Sequence, residues 1–540
     1  MEEKKMPKKA KVTVHPAYEL GEISPRIYSA FLEPIGNMVN GSMFNPKHPT
    51  ADEKGLRHDF IDAVKNSKIP AVRLPGGNFV SGWDWKDSIG PVEQRKTRLD
   101  LAWRQYITNE VGHDEYLQWA QMAETEPLYT VNLGMCGNIN DAISIIEYTN
   151  HEGGSYWSDL RKEYGTKDPY DVKIWYLGNE VDGYWQVGSY KNDPRSYGLL
   201  ANETSKLMKW VDPRIETVAC VSCSPNMLHY PDWDMAVLQE CYHTVDYISM
   251  HHYQSVKKDD FKTFLGASRY FEDYINTEIA MCDYLQAKLK SDKKIMLSFD
   301  EYATMMRPAS EDIHYGRYEY LHYKTHYKAD PKRTFVRHDP DNMPGGFPRG
   351  NDMLNALGSV STILAFLRHA DRVKIACMTG GLHAVASTNR EHVWSTATYY
   401  PYTQLIRYGR GTSLRTSVDC DTYDIPSYIV DDTNQYYEQE GVDFIDTAAA
   451  YDKESGEVNI FVINRNWEAS NDIDLDVKGF GDISFIEHIE MNTDDPEKAN
   501  TYDTPDAIVP KINEKASFAD GILTSNVKPM SWNVFRFKKN

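Results

Sequence analysis

Short apolar segments rich in β-forming residues alternate with longer helical patterns along most of this chain, from about residue 23 to residue 408. Eight segments have the character of buried strands: Ile27–Leu32, Ala71–Leu74, Tyr129–Leu133, Ile174–Leu177, Thr217–Val221, Tyr247–Met250, Ile295–Phe299 and Val373–Met378. Apolar residues recur at helical spacing in His113–Glu124, Tyr197–Trp210, Met235–Tyr242, Tyr270–Leu289 and Leu354–His369. Eight strand-then-helix units predict an α/β fold, a (β/α)₈ TIM barrel, because this alternation commonly closes into a barrel of parallel strands.

The pattern changes after about Gly411, where apolar segments are separated by turns rich in Gly, Asn and Asp. The candidate strands there are Val458–Asn464, Ile473–Val477, Ile483–Glu490 and Trp532–Phe537. We therefore predict three parts. An N-terminal segment, residues 1–20, contributes the strand Lys11–His15 to an all-β sandwich; residues 21–408 form the barrel; and residues 409–540 form the sandwich domain.

A long insertion follows the seventh predicted strand, over about residues 307–351. It is rich in Tyr, His, Arg and Pro and includes the run HYGRYEYLHYKTHYK. Loops that follow barrel strands lie on the catalytic face, so this insertion is expected to shape the substrate pocket. A surface excursion or a contact between subunits is the alternative.

The balance of charge excludes several classes of partner. The formal net charge is −20, and a nucleic-acid binder or a protein of anionic membrane surfaces needs a basic face instead. A neutral carbohydrate is compatible with this acidity. We expect no transmembrane helix, since no run of about 18 apolar residues occurs, and no signal peptide, since the N-terminus lacks an apolar core. The seven cysteines, an odd number, indicate reduced thiols and a cytoplasmic protein.

Two glutamates follow the predicted strands four and seven. Glu180 ends the segment IWYLGNE, and Glu301 lies in IMLSFDEY. Barrel enzymes build their sites at the carboxyl ends of the strands, so both side chains are expected to face one pocket. Such a pair suits the cleavage of an acetal, in which one carboxyl protonates the leaving group while the other stays ionised. A lone strand-end glutamate could instead cap a helix or pair with an arginine.

Longer motifs surround these glutamates: VRLPGGNFVSGWDW (72–85), GPVEQR (90–95), LDLAW (99–103), YWSDLR (156–161), WYLGNEVDG (175–183), VDYISMHHY (245–253), LSFDEY (297–302) and HADRVKIAC (369–377). In this order, and over nearly the whole chain, they resemble the α-L-arabinofuranosidases of glycoside hydrolase family 51. The resemblance implies a barrel with a β-sandwich and retaining hydrolysis of terminal arabinofuranosyl residues from arabinan or arabinoxylan oligosaccharides. It further implies no metal, no cofactor and a homo-oligomer, since relatives are often hexameric.

Individual roles follow from the resemblance, position by position. Glu180 matches the general acid/base and Glu301 the nucleophile. Asn179 matches the residue that hydrogen-bonds the sugar 2-hydroxyl, an interaction that strengthens in the transition state. Glu33 and Asn78 match groups that hold other furanose hydroxyls. A further basic residue, Arg73, is placed at a strand end to pair with the nucleophile and keep it ionised.

A histidine and a tyrosine, His251 and Tyr253, match a pair near the catalytic groups in the family. Tyr253 would hydrogen-bond the nucleophile and His251 would tune the site. Adjacent His251 and His252 could suggest a metal, but successive strand residues point to opposite faces and could hardly share one ion. Three tryptophans could form pocket walls or pack in the core: Trp83, Trp85 and Trp103, of which we include Trp103 among the substrate-binding candidates.

The chain departs from the family pattern around the sugar. Pro34 stands where a His is usual, Tyr302 and Ala303 replace a Trp-Asn pair, a loop tryptophan is replaced around Met305, and Gly380 stands in place of a substrate-binding Gln. Losing a hydroxyl-binding side chain removes a specificity contact and leaves more room. A furanosidase with shifted specificity, for example for galactofuranose, is therefore the alternative, and a non-catalytic carbohydrate-binding barrel is a more distant one.

Overall fold

The protein is described by a computed structural model over residues 9–307, 334–339, 352–431 and 434–540. Eight parallel strands close into a barrel in chain order, and the last strand pairs with the first. These strands, numbered one to eight below, are Ser29–Phe31, Ala71–Leu74, Glu126–Val131, Ile174–Leu177, Glu216–Cys220, Tyr247–Lys257, Met296–Arg307 and Val373–Thr379. The predicted TIM barrel is confirmed.

Strands six and seven are longer than their apolar patterns predict. Those patterns end at Met250 and Phe299, whereas pairing between the two strands continues as far as Lys257 and Arg307. The two strands therefore leave the barrel rim together as a ribbon. Glu301 lies within this long strand rather than at its end.

Most helices that cover the barrel bury one face, whereas Met353–Arg368 and Gly381–Val385 are buried almost all round. The helix Pro194–Val211 is representative: the Asp193 side chain accepts the Ser196 N–H at 3.3 Å, and proline occupies the first turn, where no backbone N–H is needed. The complete set is His58–Ser67, His113–Met122, Ile139–Asn150, Tyr156–Glu163, Pro194–Val211, Asp232–Cys241, Phe261–Leu265, Ser268–Leu289, Met353–Arg368, Gly381–Val385 and Tyr399–Tyr408 among the described residues.

The C-terminal region forms a ten-stranded, mostly antiparallel sheet. In sheet order its strands are Lys511–Ile512, Ile483–Met491, Ser531–Lys539, Glu457–Asn464, Ile445–Tyr451, Thr412–Asp419, Ala10–Glu22, Asn471–Asp476, Ile522–Val527 and Ser517–Ala519. Phe518, near one end of this order, contacts Phe485 and Phe537 near the other, with ring centroids 6.3 and 5.6 Å apart. The sheet therefore folds over into two packed layers, a sandwich.

The N-terminal strand of the described chain belongs to this sandwich and not to the barrel. Ala10–Glu22 pairs antiparallel with Thr412–Asp419 and parallel with Asn471–Asp476. The predicted strand Lys11–His15 is the first part of it. Residues of the first part of this strand alternate between buried and more exposed positions, with Val12 and Val14 in the sandwich core.

Four two-stranded sheets are also present in the described structure: Arg98–Asp100 with Gln105–Ile107, Ser387–Thr388 with Val393–Trp394, Thr422–Ile425 with Gln439–Asp443, and Tyr428–Asp431 with Asn434–Tyr436. Most of the predicted insertion, residues 307–351, lies outside the described residues; only 334–339 and the end of strand seven belong to them. All seven cysteines are free thiols. In the described part of the chain, we find no helix with the length and apolar character needed to cross a membrane.

Candidate active site

A buried arginine, Arg73, lies at the centre of the catalytic face. Its guanidinium donates to Glu301 Oε1 at 2.8 Å and to Asn179 Oδ1 at 2.7 Å, and its Nε lies 3.1 Å from Asp300 Oδ2. The side chain is 0% exposed and packs over the Tyr176 ring, with the guanidinium carbon 4.8 Å from the centroid. The carboxylates of Asp300 and Glu301 balance the charge of the buried guanidinium, which would be costly to bury unpaired. Arg73, on strand two, thus contacts side chains that strands four and seven position.

The two candidate catalytic glutamates lie close together. A carboxylate oxygen of Glu180, one of Glu301 and a ring nitrogen of His251 all lie within 4.8 Å of one another. His251 Nδ1 lies 3.0 Å from Glu180 Oε1 and 3.8 Å from Glu301 Oε2. The structure therefore brings both glutamates into one pocket.

Asp300 is a part of this site that sequence reasoning missed. A regular strand would point Asp300 and Glu301 to opposite faces. Strand seven carries one extra residue here: Ser298 is opposite Ser249, and Glu301 is opposite His251. Such a bulge re-aims side chains, and it lets both acidic residues reach Arg73. The adjacent acidic pair DE was visible in the sequence, but the bulge was not.

His251 is a cation in this environment. Burial alone would lower its pKa, but Glu301 and Asp300, together with hydrogen bonds to Asp300 and Glu180, raise the pKa of His251 to about 10. At neutral pH both ring nitrogens therefore carry protons. Nδ1 donates to Glu180 at 3.0 Å and Nε2 donates to Asp300 Oδ2 at 3.1 Å.

Glu180 is held between two donors. Burial raises its pKa, the His251 hydrogen bond opposes this, and the charge of Glu301 raises it further. The second donor is the Trp185 indole N–H, 2.7 Å from Glu180 Oε2, which also lowers the pKa. Glu180 has a left-handed backbone with φ of 43°, a strained conformation that recurs at functional sites. Trp185 was missed because a tryptophan in a loop carries no distinguishing pattern.

Glu33 lies at the end of strand one, beside the catalytic pair. Its Oε1 accepts the backbone N–H groups of Gly77 at 3.1 Å and Phe79 at 2.8 Å. Burial first, and then the charge of Glu301, raise the pKa of Glu33 to about 8, while the Phe79 N–H and the Trp103 indole oppose the rise. Glu33 is therefore largely protonated at neutral pH and offers both a donor and an acceptor to a sugar hydroxyl.

Gly77 was also missed as a site residue. A Cβ at this position would lie 2.5 Å from Glu301 Oε1 and 3.2 Å from Asn179 Nδ2. Only glycine lets the loop after strand two approach the candidate nucleophile this closely. The PGGN motif indicates a loop that needs glycine, but it does not show which of the two glycines lies against Glu301.

Asn78 and Asn179 are joined directly. Asn179 Nδ2 donates to Asn78 Oδ1 at 3.0 Å, and Gln186 donates to the same oxygen. Asn179 is 1% exposed and its Oδ1 is occupied by Arg73. Its orientation is thus fixed before substrate arrives, and Gln186 is a further polar residue at this side of the pocket.

Tyr253 contacts the candidate nucleophile as the resemblance implied. Its hydroxyl donates to Glu301 Oε2 at 2.7 Å and lies 2.8 Å from Thr379 Oγ1. Burial and the negative charge of Glu301 raise the pKa of Tyr253 well above its ordinary value. Tyr253 therefore stays protonated and remains a donor to Glu301.

The departures from the family pattern have different surroundings. Gly380 adopts φ of 74°, and an added Cβ would meet nothing within 4 Å, so open space lies beside it. Tyr302 is fully buried and packs on Phe366, with ring centroids 5.0 Å apart. The expectation that Tyr302 alters sugar recognition is not supported by its position, because its ring lies between the barrel and its helices. Met305 is 9% exposed, and the Pro34 carbonyl accepts a hydrogen bond from Gln105.

Trp83, Trp85 and the second histidine have structural surroundings. Trp83 donates to Asn109 Oδ1 at 2.9 Å, and Trp85 packs on Trp157, with ring centroids 5.1 Å apart. His252 points away from the pocket and packs on Phe271, with ring centroids 4.7 Å apart. His251 and His252 therefore lie on opposite faces of strand six, as strand geometry predicts.

A closed (β/α)₈ barrel with two neighbouring carboxyl groups on its catalytic face is the arrangement of a glycoside hydrolase. Residues 63–275 match the model of the alpha-L-arabinofuranosidase 1 domain, and residues 300–531 match that of the alpha-L-arabinofuranosidase C-terminal domain. The chain belongs to the α-L-arabinofuranosidase family, in agreement with the predicted resemblance.

Individual relatives are similar over their full length. An intracellular exo-alpha-(1->5)-L-arabinofuranosidase of Acetivibrio thermocellus is 38% identical, over 98% of this chain and 100% of its own. One of the same description from Bacillus subtilis is 38% identical over 98% and 99%. Among solved structures, a family 51 alpha-L-arabinofuranosidase from Bifidobacterium longum has a TM-score of 0.83 at 26% identity, over 99% of this chain and 100% of its own.

Proposed function

We propose that this protein is an exo-acting, retaining α-L-arabinofuranosidase in which Glu301 is the nucleophile and Glu180 the general acid/base. The observation that carries the proposal is the approach of their carboxylate oxygens to within 4.8 Å of each other. Carboxyl groups about 5 Å apart allow direct attack on the anomeric carbon, whereas inverting enzymes need about 6.5–9.5 Å to admit a water.

The proposed reaction has two steps. Glu301 attacks the anomeric carbon while Glu180 gives its proton to the departing glycosidic oxygen, which leaves a glycosyl ester on Glu301. Glu180, now a carboxylate, takes a proton from water, and that water breaks the ester. Asn179 would hold the sugar 2-hydroxyl, and Arg73 and Tyr253 would orient Glu301 through the contacts described above.

The substrate we propose is a neutral oligosaccharide with terminal α-(1→5)-linked arabinofuranose. The support is the activity for which the two relatives at 38% identity are named. The second candidate is a furanoside with an additional exocyclic carbon, such as a galactofuranoside, and the open space beside Gly380 favours it. A panel of nitrophenyl furanosides separates the two: turnover of the galactofuranoside without turnover of the arabinofuranoside would contradict the first.

The catalytic roles can be tested with matched variants. Glu301→Ala should abolish turnover on every substrate, whereas Glu180→Ala should keep appreciable activity only on good leaving groups that need no protonation. Glu203→Ala, on an outer helix, is the control and should behave as the wild type. Equal loss on good and poor leaving groups in Glu180→Ala would contradict its role as the acid. Proton NMR of the first-formed anomer tests retention directly.

We also propose that the protein acts in the cytoplasm as a homo-oligomer. The support for the location is the word intracellular in the names of both relatives. Hexameric assembly is supported by the family resemblance alone. Light scattering would test it, with six times the chain mass of 62.0 kDa as the expected value.

A further inference from the structure

A short segment of the insertion docks on a hairpin that borders the candidate sugar site. The hairpin pairs Arg98–Asp100 with Gln105–Ile107. Segment 334–339 joins it through a single β-bridge at Val336: the Tyr106 N–H donates to the Val336 carbonyl at 2.9 Å, and the Val336 N–H donates to the Arg104 carbonyl at 2.8 Å. The Arg337 guanidinium also lies 4.3 Å from the centre of the Tyr106 ring.

Gln105 is the point where this segment, the hairpin and strand one are joined. Its side chain is buried, and all of its polar groups are used. Nε2 donates to Asp100 Oδ2 at 2.9 Å and to the Pro34 carbonyl, while Oε1 lies 2.6 Å from His338 Nε2. The two acceptors facing Nε2 fix the orientation of the amide, so His338 Nε2 is the donor to Oε1. Gln105 is 3% exposed, so its amide bonds to protein groups and not to solvent.

Two of the three partners of Gln105, Asp100 and Pro34, lead to candidate sugar-binding residues. Asp100 Oδ1 accepts the backbone N–H groups of Ala102 at 2.9 Å and Trp103 at 3.2 Å, which holds the turn that presents Trp103. Pro34 directly follows Glu33, so the bond to its carbonyl holds the end of strand one. The Trp103 indole is also close enough to Glu33 to lower the pKa of that carboxyl.

We propose that Gln105 and His338 are positioning residues that fix Trp103 and Glu33 in the sugar-binding wall, so that segment 334–339 contributes to substrate recognition. The inference rests on the proposed function, because it treats Trp103 and Glu33 as groups that hold the furanose. It leaves Glu180 and Glu301 untouched, since neither positioning residue contacts them in the described hydrogen bonds. The effect should therefore fall on binding and not on the chemical step.

The test compares steady-state kinetics of Gln105→Leu and His338→Ala with the wild type. Gln105→Leu removes three hydrogen bonds and should raise KM about tenfold or more, and His338→Ala removes one and should raise KM about threefold to tenfold. In both, kcat should stay within about twofold. His338→Asn, which can keep a donor, should recover part of the loss.

Thr108→Ala is the matched control, since Thr108 directly follows the hairpin strand and its hydroxyl donates to Glu110, away from Gln105. Unchanged KM in both positioning variants, or an equal rise in Thr108→Ala, would overturn the inference. A fall in kcat with unchanged KM would do the same. Should Gln105→Leu fail to fold, the milder His338→Ala and His338→Asn pair decides the question.

Failure of the proposed function would be recognised separately. If the wild type cleaves a galactofuranoside and not an arabinofuranoside, the sugar assignment is wrong, but the KM comparison can be made on the sugar that is cleaved. If the wild type cleaves the arabinofuranoside and the variants keep its KM, only the positioning role is wrong.

Discussion

The Trp185 indole N–H should set part of the proton affinity of the proposed acid. It donates to Glu180 Oε2 at 2.7 Å and lowers the pKa of that carboxyl, in opposition to burial. The substitution Trp185→Phe keeps an aromatic ring and removes this single donor. Because the ionised form of Glu180 loses more than the protonated form, the acid should hold its proton to a higher pH.

The size of the effect follows from the energy of one hydrogen bond. A hydrogen bond to a charged group contributes about 1.5–3 kcal/mol, and the protonated carboxyl can accept the same N–H, so about half of this energy separates the two forms. One pKa unit corresponds to about 1.4 kcal/mol. The alkaline limb of kcat/KM should therefore move up by about 0.5–1 pH unit in Trp185→Phe, while His251 still donates to Glu180 Oε1.

The assay is the pH dependence of kcat/KM on an arabino-oligosaccharide, whose poor leaving group requires the acid. Trp83→Phe is the control, because it removes an indole donor to Asn109 and leaves Glu180 untouched. An alkaline limb that stays in place or moves down in Trp185→Phe refutes the reasoning. An equal displacement in Trp83→Phe refutes it as well.

Three further outcomes are expected. Gly77→Ala should lower kcat/KM at least about 100-fold with little change in the urea midpoint, because its Cβ would meet Glu301 Oε1 at 2.5 Å; near-normal activity would contradict this. Arg73→Met removes one of the two cations beside Asp300 and Glu301 and should destabilise the fold by about 3–5 kcal/mol, so an unchanged urea midpoint would be evidence against the pairing. Incubation with EDTA should leave activity intact, since His251 Nδ1 carries a proton where a metal would bind; loss of activity that zinc restores would reverse this expectation.

The barrel could be predicted from the sequence because the same pattern, a short apolar strand followed by a helix, occurs eight times. Each strand is buried on both faces and therefore reads as a short continuous apolar run, such as Ala71–Leu74 or Ile174–Leu177. Errors arose where pairing continues beyond the apolar run. Strand seven extends to Arg307 because it pairs with strand six outside the barrel, and its outer residues need no apolar pattern to do so.

Candidate catalytic and binding residues could be predicted where they lie near the carboxyl end of a barrel strand and within a long motif. Glu180, Glu301, Asn179 and Arg73 meet in the structure because strand ends of a closed barrel share one rim. Residues that act through loop or strand geometry were not predicted. Asp300 requires a bulge to reach Arg73, and neither the bulge nor the path of the loop that brings Trp185 to Glu180 leaves a periodic signal.

The departures from the family pattern also show that the sequence alone does not tell which substituted side chains face the sugar. Tyr302 and Gly380 were treated alike, since both replace residues of the family pattern. The structure separates them: Tyr302 packs in the core, whereas Gly380 borders open space. One step along a regular strand moves a side chain to the other face, and Tyr302, which directly follows Glu301, lies on the face that packs against the helices.

The charges around Glu301 explain how one site can distinguish two glutamates. Arg73 and His251 supply two positive charges, and Asp300 and Glu301 balance them, so a third buried carboxylate at Glu180 would have no counter-charge. Burial accordingly raises the pKa of Glu180. When Glu301 forms the proposed glycosyl ester it loses its negative charge, at the moment when Glu180 gives up its proton and becomes negative. The buried net charge is therefore the same before and after the step, and Glu180 is left as the base that the second step requires.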